Sequence, residues 1–245
     1  MRLIPVIAAA VALVGIAATS ASAQDFQQSY TLRPGGSISI ASLSGDVKIT
    51  GGGGSAIVVT ATKRGDDADK VQIEDRSSAN EVDVSVRYPR NCDCDATVDF
   101  DVQVPAGIAY RYEKIVSMSG NVEISNVTGR ISVKSMSGDV RVRDVSGTVE
   151  ATAMSGNVNA EITRLEGDGS LEFTSMSGDV EVRLPGSLDA DVQMNTLSGS
   201  ISTDFPIQIE EKKYGPGQSA KGTLGSGSRP VRIKSLSGDA RLLRN

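Results

Sequence analysis

The sequence predicts an all-β protein, a β-solenoid (β-helix or β-roll-like) built from coils of about 18 residues, with a less regular N-terminal β region ahead of them. Three observations carry this prediction. The first is an internal repeat: SLSGDVKI begins at Ser42, SMSGNVEI at Ser117, SMSGDVRV at Ser135, AMSGNVNA at Ala153, SMSGDVEV at Ser175, TLSGSIST at Thr196 and SLSGDARL at Ser235. Its central glycines, Gly120, Gly138 and Gly156, stand 18 residues apart, and a weaker half-repeat lies around Gly129 and Gly147. The second is a period of two in the apolar residues that follow each motif, as in Val122 and Ile124, Val140 and Val142, or Val180 and Val182. That period belongs to a strand with one buried face. The third is a composition of strands and turns, rich in Gly, Val, Ile, Ser, Thr and Asp.

Each position of the unit has a physical reading. Met118, Met136, Met154, Met176, Leu197 and Leu236 keep one position apolar, and Ser119, Ser137, Ser155, Ser177, Ser198 and Ser237 follow them. Gly comes next, then usually Asn or Asp, then usually Val. Ser-Gly-Asx is turn sequence, because Gly, Asn and Asp tolerate positive φ and Asx side chains bond to the nearby backbone. One such strand and turn cannot bury its own apolar face, whereas stacked copies can, each about 4.8 Å above the last. On this reading the Met/Leu and Val/Ile ladders fill the interior, and the Ser and Asn/Asp ladders line a turn edge. An antiparallel sandwich of hairpins also gives short, regularly spaced strands. Hairpins do not require identical residues at identical offsets, so the solenoid is preferred. Two- and three-sided coils remain equally open.

Residues 1–23 read as a signal peptide. Arg2 opens it, an apolar run extends from Leu3 to Ala18, and Ala21-Ser22-Ala23 forms a small-residue cleavage pattern before Gln24. The expected mature chain is exported, periplasmic or extracellular at the cell surface, with no transmembrane segment after cleavage. Arg2 is the only charge in the signal, which leaves 24 basic against 30 acidic side chains, a net charge of −6. That balance offers no electrostatic footprint for nucleic acid. The chain has no His, which excludes Ser-His-Asp and Cys-His machinery and His-ligated metal sites. Residues 24–115 read as an N-terminal β region that caps the first coil, with strands at Ile57–Thr62, at Val82 to Tyr88 and at Val98 to Val104. Residues 116–245 read as the solenoid. Between Gly199 and Gly238 the spacing stretches to 39 residues, and the stretch near 210–230 reads as a loop or loose hairpin leaving the stack. Lys212, Lys213 and Tyr214 would be exposed there as interaction residues.

Several chemical motifs are weighed and set aside. Asn91, Asp93, Asp95, Asp99 and Asp101 resemble part of a calcium loop, but Ala96 and Val102 stand where an EF-hand needs Gly and Glu. The SGDV turn differs from the calcium β-roll pattern, and Asn or Ser often replaces its Asp, so hydrogen-bonded turn ladders explain it better than a cation ladder. Gly51, Gly53 and Ala56 match a dinucleotide fingerprint, but strand-like sequence follows where a helix is required. Asn126-Val127-Thr128 is a glycosylation pattern inside the repeat, and no glycan is expected. Cys92 and Cys94 are the only cysteines and form the disulfide candidate. In an oxidising compartment they would act as a local staple, an intermolecular link or a redox pair. No cofactor and no metal is expected.

Together the SLSGDV and SMSGDV repeats, the VDFDVQVPAG strand entering them and the closing LGSGSRPVRIKSLSGDARL resemble the bacterial DUF4097 family over roughly residues 30–245. The resemblance implies β-strand repeats in a solenoid-like fold and an envelope or surface location, with no catalytic residues to carry over. The family label, adhesin, is drawn from architecture, and fold does not fix function. Three functional classes follow. One is a non-catalytic adhesion or interaction module that meets an unknown envelope or cell-surface partner through a flat ladder face or the 210–230 loop. Another is a structural or envelope-sensing protein of the periplasm. The third, a polysaccharide-active enzyme, is disfavoured because the Asp residues sit in repeated turns rather than in one cluster. Coils could join end to end only if the caps fail, and the oligomeric state is open.

Overall fold

The computed structural model describes residues 25–167, 169–211 and 216–245. The segment read as a signal peptide, and Lys212, Lys213 and Tyr214, lie outside the described residues. The chain is all-β and solenoid-like, with a single 3-10 turn at Ala68–Lys70 among the described residues. It enters on β1 (Phe26–Tyr30), β2 (Ser37–Ser44) and β3 (Val47–Gly52). Next come β4 (Ile57–Arg64), β5 (Gln72–Asp75), β6 (Glu81–Arg87) and β7 (Thr97–Pro105). The regular stretch holds β8 (Ala109–Ser119), β9 (Val122–Ser125), β10 (Thr128–Ser137), β11 (Val140–Ser155), β12 (Val158–Arg164), β13 (Leu171–Ser177) and β14 (Val180–Leu184). The last six strands are β15 (Ala190–Ser198), β16 (Ile201–Thr203), β17 (Gln208–Glu211), β18 (Gln218–Leu224), β19 (Pro230–Ser237) and β20 (Ala240–Arg244).

Two parallel ladders run along the stack, one on each side of the SGD turns. The strands before the turns pair in the spatial order β6, β2, β8, β10, β11, β13, β19, β15. Those after the turns pair in the order β7, β3, β9, β11, β12, β14, β20, β16. β11 is long enough to serve both ladders, through Val140–Arg143 in one and Ser146–Ser155 in the other. The turns carry the pairing across: the Gly120 amide donates to the Ser137 carbonyl at 2.9 Å, and Gly138 to Ser155 at 3.0 Å. Glycine is required there. A Cβ on Gly138, whose φ is +149°, would lie 2.3 Å from the Gly120 carbonyl oxygen of the adjoining coil. The interior is filled by the period-two residues, among them Ile131, Val133, Val140 and Val142, with Phe100, Tyr112 and Phe173 as the largest.

The spatial order of coils is not the sequence order. β2–β3 lies between β6–β7 and β8–β9, and β19–β20 lies between β13–β14 and β15–β16. At each end the coil nearest the terminus is therefore one place in from the end of the stack. The N-terminal region, expected as a cap, contributes coils of its own at β2–β3 and β6–β7. It adds a true cover beyond them, in which β5 pairs antiparallel with β6, β4 with β7 and β1 with β4.

Two expectations are corrected. Of the loop or hairpin expected near 210–230, the described residues form the hairpin, but it does not leave the stack. β17 and β18 form an antiparallel pair, and β18 lies antiparallel on β15, closing that end. The long spacing between Gly199 and Gly238 is the path the chain needs to cover the outermost coil and return inside it. The Met/Leu ladder does not fill the interior either. Ile131, Val133 and Ser135 set the inward phase of β10, so Met136 points out by simple alternation. In β10 the inward place belongs to Ser135, the residue before Met136.

Candidate functional site

Each SxSGD motif lies in register with those of its neighbours, so its positions form parallel rows along the stack. The innermost row is hydroxylic and buried. Ser117 Oγ donates to the Gly45 carbonyl at 2.9 Å, Ser135 to Gly120 at 2.9 Å, Ser175 to Gly156 at 2.8 Å and Ser235 to Gly178 at 2.9 Å. Thr196 donates to Gly238 at 3.0 Å, and Ser42 reaches the Val98 carbonyl at 3.1 Å. Every bond runs to the adjoining coil in space, which satisfies polar groups that the core would otherwise strand. Ala153 interrupts the row, so the Gly138 carbonyl receives no hydroxyl from it.

The Asx row is a ladder of side chain to backbone bonds. Asp99 Oδ1 accepts from the Asp46 amide at 2.9 Å, Asp46 from Asn121 at 2.7 Å, and Asn121 from Asp139 at 3.0 Å. Asp139 accepts from Asn157 at 2.8 Å, Asn157 from Asp179 at 2.9 Å, Asp179 from Asp239 at 2.8 Å, and Asp239 from Ser200 at 2.9 Å. From Asp46 to Asp239 each residue gives an amide hydrogen to one neighbour and an oxygen to the other, so Asp and Asn serve equally as acceptors. From Asp46 to Asp179 they alternate, which keeps carboxylates two rungs apart. Arginines attend the row both where two Asp adjoin and within the alternating stretch: Arg241 lies 3.6 Å from Asp179 and 2.7 Å from Asp239, Arg64 pairs with Asp99, and Arg141 lies 2.6 Å from Asp139. Asp99 belongs to a coil without an SGD motif, and nothing in its local sequence marks it as a rung.

Between these rows lies the exposed one. In spatial order it is Leu43, Met118, Met136, Met154, Met176, Leu236 and Leu197, each 40–46% exposed. The flanking serines fix this order, since Ser135 pairs with Ala153 and Ser137 with Ser155 on either side of Met136 and Met154. The same holds at every other step. Among the described residues Ile209 is the one other large apolar side chain so exposed. At about 4.8 Å per coil the stripe is about 29 Å long. At one end a shallow depression of about 330 Å³ opens beside Met176, Leu236 and Leu197, rimmed by Thr174, Asn195 and Lys234. The lysines near the stripe are paired on the same face, Lys134 with Glu150 at 3.7 Å and Lys234 with Glu172 at 3.6 Å. Apolar contact, rather than charge, is what this surface offers.

The other candidate residues lie elsewhere. Cys92 and Cys94 are disulfide-bonded to each other, with Cα atoms 5.1 Å apart, in the turn that joins β6 to β7 at the end of the stack. Burial raises four phenols in the N-terminal half, Tyr30, Tyr88, Tyr110 and Tyr112. Burial, with the neighbouring Tyr110, pushes the Tyr112 hydroxyl well above its usual range, and that hydroxyl has no hydrogen-bond partner. Burial, then the 2.8 Å bond to Asp75, raises Tyr30 to about 12.

The coils, their buried hydroxyls and the return of the last coil into the stack involve nearly the whole chain, and a family model covers the same extent, residues 34–243. The chain belongs to the Toastrack DUF4097 family. Two crystal structures resemble this Toastrack chain. A "putative cell adhesion protein" from Clostridium sporogenes matches with a TM-score of 0.48 and 11% identity, over 90% of this chain and 99% of that one. A "putative adhesin" from Bacteroides fragilis matches with a TM-score of 0.40 and 13% identity, over 90% of this chain and 96% of that one. No protein of curated function matches.

Proposed function

We propose that this Toastrack protein is an exported, non-catalytic interaction module of the bacterial cell envelope, and that its Leu/Met stripe is the contact surface. The single observation that carries the reading is the stripe itself. Seven coils place an unbranched or γ-branched apolar side chain on the solvent side of one position, where strand alternation alone would favour a polar residue. The stack stays folded without these side chains in its core, so holding the position apolar serves something outside the coil. The Asx row supports a non-catalytic role, since its carboxylates are committed to backbone amides. Export rests on the N-terminal sequence.

The test compares attachment of purified protein to envelope fragments of the producing cell, for the wild type and for a variant with Met118, Met136, Met154 and Met176 all changed to Gln. The expected result is a variant that melts as the wild type does and attaches at least about tenfold more weakly. Equal attachment would remove the stripe from the proposal. Protease treatment of intact and lysed cells then separates surface display, in which the intact cells are cleaved, from a structural or sensing role in the periplasm, in which only the lysate is.

A further inference from the structure

We propose that the run Met118, Met136, Met154 and Met176 binds a monovalent soft cation, Cu(I) or its analogue Ag(I), through thioether sulfur. The proposal stands on a property of the stripe that apolar contact does not use. Leu43, Leu236 and Leu197 occupy the same row with similar volume and no donor atom, whereas the four sulfurs are confined to four consecutive rungs. The remaining methionine of the described residues, Met194, is fully buried.

Placement makes a shared ion feasible. Adjacent rungs are about 4.8 Å apart at the backbone. A methionine side chain has three rotatable bonds and a polarizable sulfur, so two or three neighbouring thioethers can tilt toward one point between them. All four are 42–45% exposed, so an ion reaches them from solvent without opening the fold. Thioethers select Cu(I) among biological metals, while carboxylates and hydroxyls suit hard divalent ions. The rows beside the methionines hold Ser119, Ser137, Ser155 and Ser177 on one side, and Val116, Lys134, Thr152 and Thr174 on the other, with no carboxylate among them. Stronger soft ligands do not compete within the chain, which has no His and whose two cysteines are bonded to each other. The ligand set is neutral, so a monovalent ion adds a single charge to the face, and the nearby Lys134 ammonium is turned toward Glu150.

The experiment is a titration of the full chain with Ag(I) in chloride-free buffer, followed by the methyl resonances of methionine, and with Cu(I) against a chromogenic competitor. Saturable uptake that shifts the resonances of the four exposed methionines and leaves Met194 unmoved is expected. Leucine variants keep the fold, because leucine already stands in the row at three rungs. M136L/M154L leaves no two methionines adjacent and should bind at least about tenfold more weakly. M118L/M176L keeps an adjacent pair and should retain uptake. Thioethers do not titrate, so binding should be unchanged between about pH 5 and pH 8, and Zn(II) should not compete. Uptake by the fourfold leucine variant equal to that of the wild type would overturn the proposal, as would equal effects of the two double variants or no uptake at all. The same leucine variants keep the stripe apolar, so envelope attachment survives in them even where the metal proposal fails.

Discussion

Ala153 stands in the buried row where Ser135 precedes it and Ser175 follows it, and each of those serines donates to a glycine carbonyl of the coil before. The side chain already fits, so Ala153→Ser adds only an oxygen aimed at the Gly138 carbonyl. The expected gain is about 1 kcal/mol, and Ser135→Ala should lose a similar amount. Urea unfolding with unchanged slope reads both. Tyr112 is the opposite case, a fully buried hydroxyl with no partner. Tyr112→Phe keeps the edge-on contact with Tyr110 and should stabilise the fold by about 1 kcal/mol at neutral pH. Its effect grows in alkali. A phenol whose folded pKa is raised contributes stability that is fully present below the unfolded value, about 10, and lost as pH rises through the folded value. The variant should therefore resist unfolding above about pH 10 better than the wild type, with Tyr30 left as a remaining alkaline weak point.

At the scale of the strand and turn, much was legible. The Val and Ile phases marked strand faces, and Ser-Gly-Asx marked the turns, because both signals are local. Hydrophobicity alone places the Met row inside, whereas Val133 and Ser135 together fix which way Met136 points. Asp99 could not be read as a rung, since its partner Asp46 is 53 residues away and only the register brings them together. The alternation of Asp and Asn was visible in sequence, but its cause was not. It becomes clear when each Asx is seen to accept an amide from one neighbour only. Asn157→Asp keeps the acceptor and sets three carboxylates, at 139, 157 and 179, on consecutive rungs. A loss of about 0.5–1 kcal/mol is expected, shrinking as salt is raised. Thermal melts at low and high ionic strength check it. A loss insensitive to salt would mean that the amide of the asparagine, rather than charge spacing, matters there.

For the whole molecule, the order of coils is what sequence could not show. A repeat reveals that units stack, but not that the last unit returns between the two before it. The long spacing from Gly199 to Gly238 reads as an excursion only if sequence distance stands for spatial distance. The consequence is that neither sheet end is left to the plain edge of a terminal coil. β5, β4 and β1 cover one end, and the β17–β18 pair covers the other, where Gln218 Oε1 also accepts the Ile201 amide at 2.7 Å. An uncovered stack would offer open strand edges to other chains. The two covers are built from antiparallel pairs, which need no further coil to complete them.

Because both ends are closed by folding back, the middle is free to change in number. Residues 121–138 make one coil between fixed closures, and a tandem copy of them would meet the same serine, glycine and Asx partners above and below. Such a chain should be about 4.8 Å longer, carry one more methionine on its flank and melt no earlier than the parent, which small-angle scattering and calorimetry would show. The protein is then a gauge rather than a fixed block: its reach is set by how many times one short phrase of sequence is repeated, and can be reset without redesigning either end.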